Sequence, residues 1–390
     1  MAEAYIVAAT RTAGGRKGGR ARGWHPADLA AVTLNELMDR TGVDPAAVED
    51  VIMGCVTQAG EQSTNIGRNA VLASKLPESV PATSVDRQCG SSQQALHFAA
   101  QAVMSGTMDV VIASGVESMT RAQMGMSVML PAQAGMGLPK SPRMEERYPN
   151  IQFSQFMGAE MVAAKYGLTK DQLDEFGYHS HQRAIAATQG GAFKDEIIAI
   201  DGLDKEGNVV RHDSDEGIRF DVSLDGMRAV KLLQENGRLT AATSSQICDG
   251  ASGVMVVSER ALKEHNLTPM ARIHHMSLLG HDPVIMLEAP IPATERALQR
   301  AGMSIDDIDL FEVNEAFASI PVAFIQKLKA DPGRVNVNGG AVALGQPLGA
   351  SGTKLMTTLV YALKARGKRY GLQTMCEGGG MANVTIIERL

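Results

Sequence analysis

The sequence contains one tryptophan and only four cysteines, Cys55, Cys89, Cys248 and Cys376, with no CxxC pair among them. Thiols so few and scattered exclude a small disulfide-stapled scaffold and indicate a reducing compartment. No apolar stretch approaches the roughly 18 residues of a membrane-spanning helix. Runs such as Val110 to Ala113 are soon broken by polar or glycine residues, so a soluble protein with no membrane partner is expected. Positive charge is not in excess: 37 Lys and Arg stand against 43 Asp and Glu, a net of −6. That balance argues against a general nucleic-acid binder held by phosphate neutralisation, while local basic contacts to a phosphorylated ligand stay open. Neither GxxxxGK[ST] nor a strand-linked GxGxxG occurs, which disfavours nucleoside triphosphates and dinucleotides. Ahead of the first strand-like run, Ala4 to Ala9, there is no basic and then apolar leader. A secreted or matrix-targeted precursor is not expected, and the cytoplasm is the expected location.

What the chain does have is 390 residues, 44% hydrophobic and 21% charged, enough for two or three folding units around a large core. Helical and strand-like periodicities alternate at both ends, which predicts an α/β fold with helix-covered sheets. The two ends also resemble each other. Arg40-Thr41-Gly42-Val43-Asp44-Pro45 and Arg300-Ala301-Gly302-Met303-Ser304-Ile305 each follow an amphipathic helix and precede an apolar strand, 302 − 42 = 260 residues apart. Gly42 and Gly302 stand where a helix C-cap takes a left-handed residue. The same offset lays Cys89-Gly90-Ser91-Ser92 on Gly349-Ala350-Ser351-Gly352, each opening a helix-like run that a strand follows. Several matches at one offset predict an internal duplication. One half is assigned to 1–119 with a return over 239–268, the other to 269–390, and a loop domain to 120–238. In that excursion Met124, Met126, Met129 and Met136 mix with Gly and Pro and read as an irregular loop. The methionines are either core filler or an adaptable apolar lining. Helices are predicted over Gly158 to Tyr166 and Thr169 to Ala187.

Several residues could carry chemistry. Cys89 follows the polar strand end Ser84 to Gln88 and precedes small residues that open a helix. Orphan N–H groups and the helix dipole there would favour a thiolate; a buried structural cysteine is the other reading. Cys376 ends a strand and is followed by Glu377-Gly378-Gly379-Gly380, which either exposes N–H groups to an oxyanion or makes a tight turn. Asn314, after Leu310 to Val313, either fixes a water or a carbonyl or caps the next helix. Further glycine-rich turns run from Asn336 to Gly340 and from Gly345 to Gly349, the second carrying Gln346. If the halves are related, the loops after Cys89 and Gly345 converge on one side of the fold. His179, His181, and His274, His275 and His281 with Asp282, read as ordinary surface or core residues before metal ligands. Gly14 to Arg22 reads as a mobile basic loop before a phosphate site.

Together, four segments resemble the signature regions of the thiolases, in the family's order and spacing. They are Asp86-Arg87-Gln88-Cys89-Gly90-Ser91-Ser92; Val313-Asn314-Glu315-Ala316-Phe317-Ala318; Asn336-Val337-Asn338-Gly339-Gly340 with Ala343-Leu344-Gly345; and Cys376-Glu377-Gly378-Gly379-Gly380. The resemblance spans essentially the whole chain. It implies the thiolase fold: two βαβαβαββ-type halves in a layered α-β-α-β-α core, plus a loop domain, assembled as a homodimer or homotetramer. It implies an acyltransferase that cleaves 3-ketoacyl-CoA to acetyl-CoA and a shortened acyl-CoA. Acyl-CoA and coenzyme A are then the partners, CoA being a substrate, with no permanently bound cofactor and no metal. Residue by residue, Cys89 resembles the nucleophile that takes the acyl group and Cys376 the acid/base. The N–H groups of Cys89 and Gly378 would form one oxyanion hole, and a water held by Asn314 would help form the other. Ser245 resembles the pantetheine contact, Arg219 the contact to the CoA nucleotide, and Met157 part of the pocket-lining turn. The Met-rich excursion and the stretch from Gly371 to Asn383 look most like bacterial degradative thiolases, including those for steroid side chains.

One position departs from the pattern. Thiolases read Gly-His-Pro where this chain has Gly345-Gln346-Pro347, and the family's His activates the nucleophile and donates to the thioester oxygen. Gln346 still offers an amide donor but has no titratable nitrogen. The resemblance therefore implies an impaired thiolase, with two alternatives kept. One is a non-catalytic acyl-CoA or lipid-binding protein on the same fold; the other is the reverse Claisen condensation of acetyl-CoA.

Overall fold

The computed structural model describes residues 2–390. The chain opens on β1 (Tyr5–Thr12) and a short β2 (Gly15–Arg16), followed by α1 (Pro26–Thr41), β3 (Asp50–Gly54), α2 (Ile66–Leu72), β4 (Ala82–Val85), α3 (Ser91–Met104) and β5 (Val110–Ser118). An excursion follows, with α4 (Met126–Gln133), α5 (Pro142–Arg147), α6 (Gln155–Lys165), α7 (Lys170–Gln189), β6 (Ile197–Ile198), β7 (Ile200–Leu203), β8 (Val209–His212) and α8 (Leu224–Arg228). The chain returns through β9 (Cys248–Val257), α9 (Glu259–Glu264), β10 (Ala271–Gly280), α10 (Pro290–Ala301) and β11 (Leu310–Val313). It ends with α11 (Ser319–Leu328), α12 (Ala341–Leu344), α13 (Ser351–Ala365), β12 (Tyr370–Glu377) and β13 (Met381–Arg389).

The main sheet runs β11-β12-β13-β10-β1-β9-β5-β3-β4. Outward from its centre the order repeats, β1-β9-β5-β3-β4 on one side and β10-β13-β12-β11 on the other. Val335, parallel to Phe311, takes the place beside β11 that β4 holds beside β3. The two half-sheets join through Tyr5 opposite Arg272 and Ile6 opposite Ala271. Each half repeats its local signals as well: α1 and α10 both end on a left-handed glycine, Gly42 at φ 65° and Gly302 at φ 66°.

Apolar side chains define five layers. Leu29, Leu34 and Leu37 of α1 pack on Val51, Met53, Ile112 and Met255 on the outer face of the first half-sheet. Leu96, Val103, Met356, Leu359 and Leu363 of α3 and α13 fill the space between the half-sheets, against Val111, Val254, Leu310 and Ile387. On the far side, Ile291 and Leu298 of α10 and Ile320 and Phe324 of α11 cover Phe311, Val313, Val384 and Ile386. Alternation along β13 sends Val384 and Ile386 outward and Ile387 to the central layer. The two central helices touch backbone to backbone: a Cβ at Gly352 would stand 2.0 Å from the Gln93 backbone nitrogen, so no larger residue fits there. This approach aligns the starts of α3 and α13.

The excursion differs from the loop read in the sequence. Residues 126–133 form a helix because glycines fall at its edges, Gly125 in a left-handed conformation before it and Gly135 after it, and one internal proline removes only one N–H. Of the methionines in this excursion, Met124, Met129 and Met136 are not core filler, being 45%, 58% and 78% exposed. The two later helices lie where the pattern put them, and α7 starts on a capping box between Thr169 and Gln172. Among the described residues, no helix is long and apolar enough to cross a membrane.

Candidate active site

Cys89 is delivered by a closed turn. Asp86 Oδ1 accepts the Gln88 N–H at 2.7 Å, while Ser91 Oγ accepts the Arg87 N–H at 2.9 Å and donates to the Gln88 carbonyl at 2.6 Å. Gln88 is held at φ 50°, a conformation that costs a non-glycine residue about 1–3 kcal/mol and that gathers at functional sites. The turn places Cys89 just before Gly90, the N-cap of α3, as the sequence pattern expects. Its thiol is buried with Met119, Leu348, Leu355 and Met375.

The expected thiolate does not follow from this placement. Burial, and after it the nearby Glu377 carboxyl, push the Cys89 thiol up to about 12, and Gln346 offsets this only in part. The apolar wall outweighs the helix start because desolvation penalises a charge on sulfur directly.

Cys376 lies at the end of β12, opposite Ala382 of β13. Burial and the neighbouring Cys89 raise its thiol, so it rests protonated. Asn314 follows β11, which runs parallel to β12, and its N–H donates to the Thr374 carbonyl at 3.1 Å, bringing its side chain to Cys376. It is not a helix cap, because α11 begins only at Ser319 with Ala318 before it. Asn336 clamps this strand end: Oδ1 accepts the Val313 N–H at 2.9 Å and Nδ2 donates to the Val313 carbonyl at 2.8 Å. Glu315 accepts from Asn336 Nδ2, Ser180 Oγ and the Val342 N–H, tying this end to the glycine-rich turns.

Gln346 enters from the third side. Gly345 turns the chain at φ 78°, and the Gln346 N–H donates to the Gln246 carbonyl at 2.9 Å. Lys354 Nζ, buried in α13, donates to the Leu344 and Gly345 carbonyls at 2.7 and 3.0 Å and fixes the turn from below. Gln346 bears on the Cys89 thiol, yet neither of its amide atoms has a full hydrogen-bond partner in the chain. The side-chain amide of Asn314 is likewise buried and unpartnered. Gly378 lies against Gln88, since a Cβ on it would meet Gln88 Oε1 at 2.9 Å. The four separated segments therefore meet around Cys89.

The three residues read as CoA contacts lie further out. Ser245 donates its N–H to the Ala316 carbonyl at 2.9 Å, and Ser244 bridges Phe317. Phe317 stacks edge-on against Phe156, at 5.5 Å between ring centres, beside the exposed Met157. Phe156 with Leu233, Gln234, Leu239 and Glu160 lines a cavity of about 260 Å³. Arg219 is exposed on a separate loop, its N–H donated to His181 Nδ1 at 3.2 Å, so it does not join the buried centre. Among the described residues, no group of three or more His, Cys, Asp or Glu side chains could hold a metal ion. The sequence reading missed Glu377 as a site group: a glutamate before three glycines looks solvent-exposed, and only the packing buries it.

A repeated α/β core in five layers, with a helix-start cysteine brought to a strand-end cysteine, defines a thiolase architecture. The chain belongs to the thiolase family: residues 4–260 match the thiolase N-terminal domain and residues 267–389 the thiolase C-terminal domain. A steroid 3-ketoacyl-CoA thiolase of Mycobacterium tuberculosis is 51% identical to it, over 100% of this chain and 95% of the relative. A 3-ketoacyl-CoA thiolase of Yersinia pestis is 42% identical over the full length of both. The crystal structure of human mitochondrial 3-ketoacyl-CoA thiolase superposes with a TM-score of 0.89 at 33% identity, covering 100% of this chain and 99% of the other. That of the Bacillus anthracis acetyl-CoA acetyltransferase does so with 0.91, also at 33% identity and with the same coverage.

Proposed function

We propose that this enzyme cleaves 3-ketoacyl-CoA by thiolysis through an acyl group held on Cys89. The observation that carries the reading is the meeting of two buried thiols with two unpartnered amides, Asn314 and Gln346, on a thiolase core. Cys89 gives up its S–H proton to a base in the site as its sulfur bonds to C3 of the substrate; the C2–C3 bond breaks, and that bond's electron pair leaves as the enolate of acetyl-CoA. Cys376, protonated at rest, supplies the proton that completes acetyl-CoA. It then takes the proton of incoming CoA, whose sulfur receives the acyl group from Cys89; Cys89 leaves as thiolate and recovers its proton from the base that first accepted it.

The backbone N–H groups of Cys89 and Gly378 are read as one oxyanion hole, supported by the contact of Gly378 with Gln88. Asn314 is read as the holder of a water for the other; a void of about 20 Å³ beside it, bounded also by Gly345 and Lys354, has the size of one water. Ser245 and Met157 border the pantetheine arm and Arg219 the nucleotide, an assignment that rests on the family pattern. The similarity to a steroid thiolase favours a bulky acyl chain, for which the exposed methionines beyond Met157 offer an adaptable apolar surface.

Incubation with a 3-ketoacyl-CoA followed by intact-mass analysis tests the reading. An acyl adduct mapped to Cys89 is expected. Its absence at saturating substrate would leave a binding protein only.

Position 346 gives a second test. We read Gln346 as standing where the family has its catalytic His, so Gln346→His is expected to raise thiolysis by about tenfold or more, a gain in the range of a restored general base. A gain below about tenfold would overturn this reading of position 346.

A further inference from the structure

Glu377 is unused in the reaction above, although it is a carboxylate beside Cys89 with both oxygens buried and unpartnered. Strand alternation puts Met375 and Glu377 on one face of β12, and Met375 packs against Cys89. Further along that face the carboxyl reaches the cysteine's own turn. A Cβ on Gly90 would stand 2.0 Å from Glu377 Oε1, so only glycine lets the carboxyl lie there. Glu117 is also close to Cys89, but it is committed to five donors: the N–H groups of Val56, Thr57 and Gly349, Gln62 Nε2 and the Cys55 thiol. Gln346 has no titratable nitrogen.

From this geometry we propose that Glu377 accepts the proton that Cys89 gives up on attacking C3, in place of a base that Gln346 cannot provide. The inference rests on the reading of Cys89 as nucleophile. In the step, the Cys89 S–H proton passes through one bridging water to the Glu377 carboxylate, whose oxygens do not bond the thiol directly; the sulfur pair forms the S–C3 bond, and the C2–C3 pair leaves as enolate to be protonated by Cys376. When CoA takes the acyl group, Cys89 leaves as thiolate and recovers its proton from Glu377.

The charged and titratable groups facing Glu377 are Arg87 and Cys89 from the turn before α3, and Cys376 from its own strand. From β13, Asn383 presents only an amide, which donates to the Gly90 carbonyl at 3.0 Å. Burial pushes the Glu377 carboxyl up to about 8, against the pull of Arg87, so both of its forms are populated near neutrality.

The test is the rate of Cys89 alkylation by iodoacetamide, read at the Cys89 peptide by mass spectrometry between pH 6 and pH 10. For the unaltered chain the rate is expected to rise through an inflection near pH 8, where Glu377 becomes carboxylate. Glu377→Gln is expected to lose that inflection and to slow alkylation about tenfold or more at pH 8, and Glu377→Asp to recover part of the rate. Alkylation that is unchanged or faster in Glu377→Gln overturns the proposal, because a carboxylate that merely repels the thiolate would slow the wild type. Arg87→Met keeps Glu377 and should move the inflection to higher pH; coincident curves overturn the proposal even if Glu377→Gln does not fold. The two readings fail separately. No acyl adduct on the unaltered chain removes Cys89 as nucleophile, whereas an adduct with an unaltered Glu377→Gln profile removes only the role of Glu377.

Discussion

Cys89→Ala is expected to lower thiolysis by about 10⁴-fold or more while acyl-CoA binding persists, because no other side chain can take the acyl group. Cys376 does not substitute for it: burial and the first thiol hold its proton on, and it approaches from the end of a different strand. The loss should fall on kcat, since Cys89 is buried among Met119, Leu348, Leu355 and Met375 and its removal leaves the outer cavity beside Phe156 intact. Calorimetric titration with acyl-CoA beside steady-state thiolysis separates the two effects. A variant that keeps more than about a hundredth of the wild-type kcat removes Cys89 as the acyl carrier.

Arg11→Met is expected to cost about 3–5 kcal/mol of folding stability, the range for breaking a buried ion pair. Arg11 is fully buried, donates from both terminal nitrogens to Asp215 at 2.8 and 3.0 Å, and donates from Nε to Glu196 at 2.6 Å. Lys354 is the second cation within reach of these carboxyls. Burial pushes Asp215 up, but Arg11 and Lys354 outweigh it and hold the carboxyl below its usual range. Removing Arg11 leaves Asp215 and Glu196 buried with Lys354 as the remaining cation beside them. Adding Glu196→Gln and Asp215→Asn should recover part of the loss, because an uncharged cluster carries no such penalty. Urea unfolding of the single and triple variants measures both. The single variant should also lose thiolysis, since Lys354 holds the turn that carries Gln346. A single variant with wild-type stability would mean that the cluster contributes nothing net to the fold.

Much of this protein was legible in its sequence because the relevant signals are local. A left-handed glycine after an amphipathic helix marks the same helix end twice, at Gly42 and Gly302, and the helix starts at Ser91 and Ser351 keep the same offset. Cys89, Asn314, Gln346 and Cys376 each stand at the end of a strand or the start of a turn, where side chains reach out of regular structure. Their convergence follows from a duplicated topology. The excursion was less legible, because Gly and Pro punctuate a short helix as readily as a loop, and only packing shows that Met129 of α4 faces outward.

Sequence alone thus determined the class and the repeat, and it placed two cysteines at a helix start and a strand end, all of which depend on residue type and spacing along the chain. Tertiary structure alone decided their chemical state. The same helix start that would favour a thiolate in water holds a neutral thiol inside an apolar wall. It alone revealed Glu377 as a buried neighbour of that thiol and joined Arg11 to Asp215 and Glu196, which lie far from it in sequence. The physical reason is common to both: the energy of a charge depends on depth and on neighbours brought from distant parts of the chain, and neither is written in local spacing.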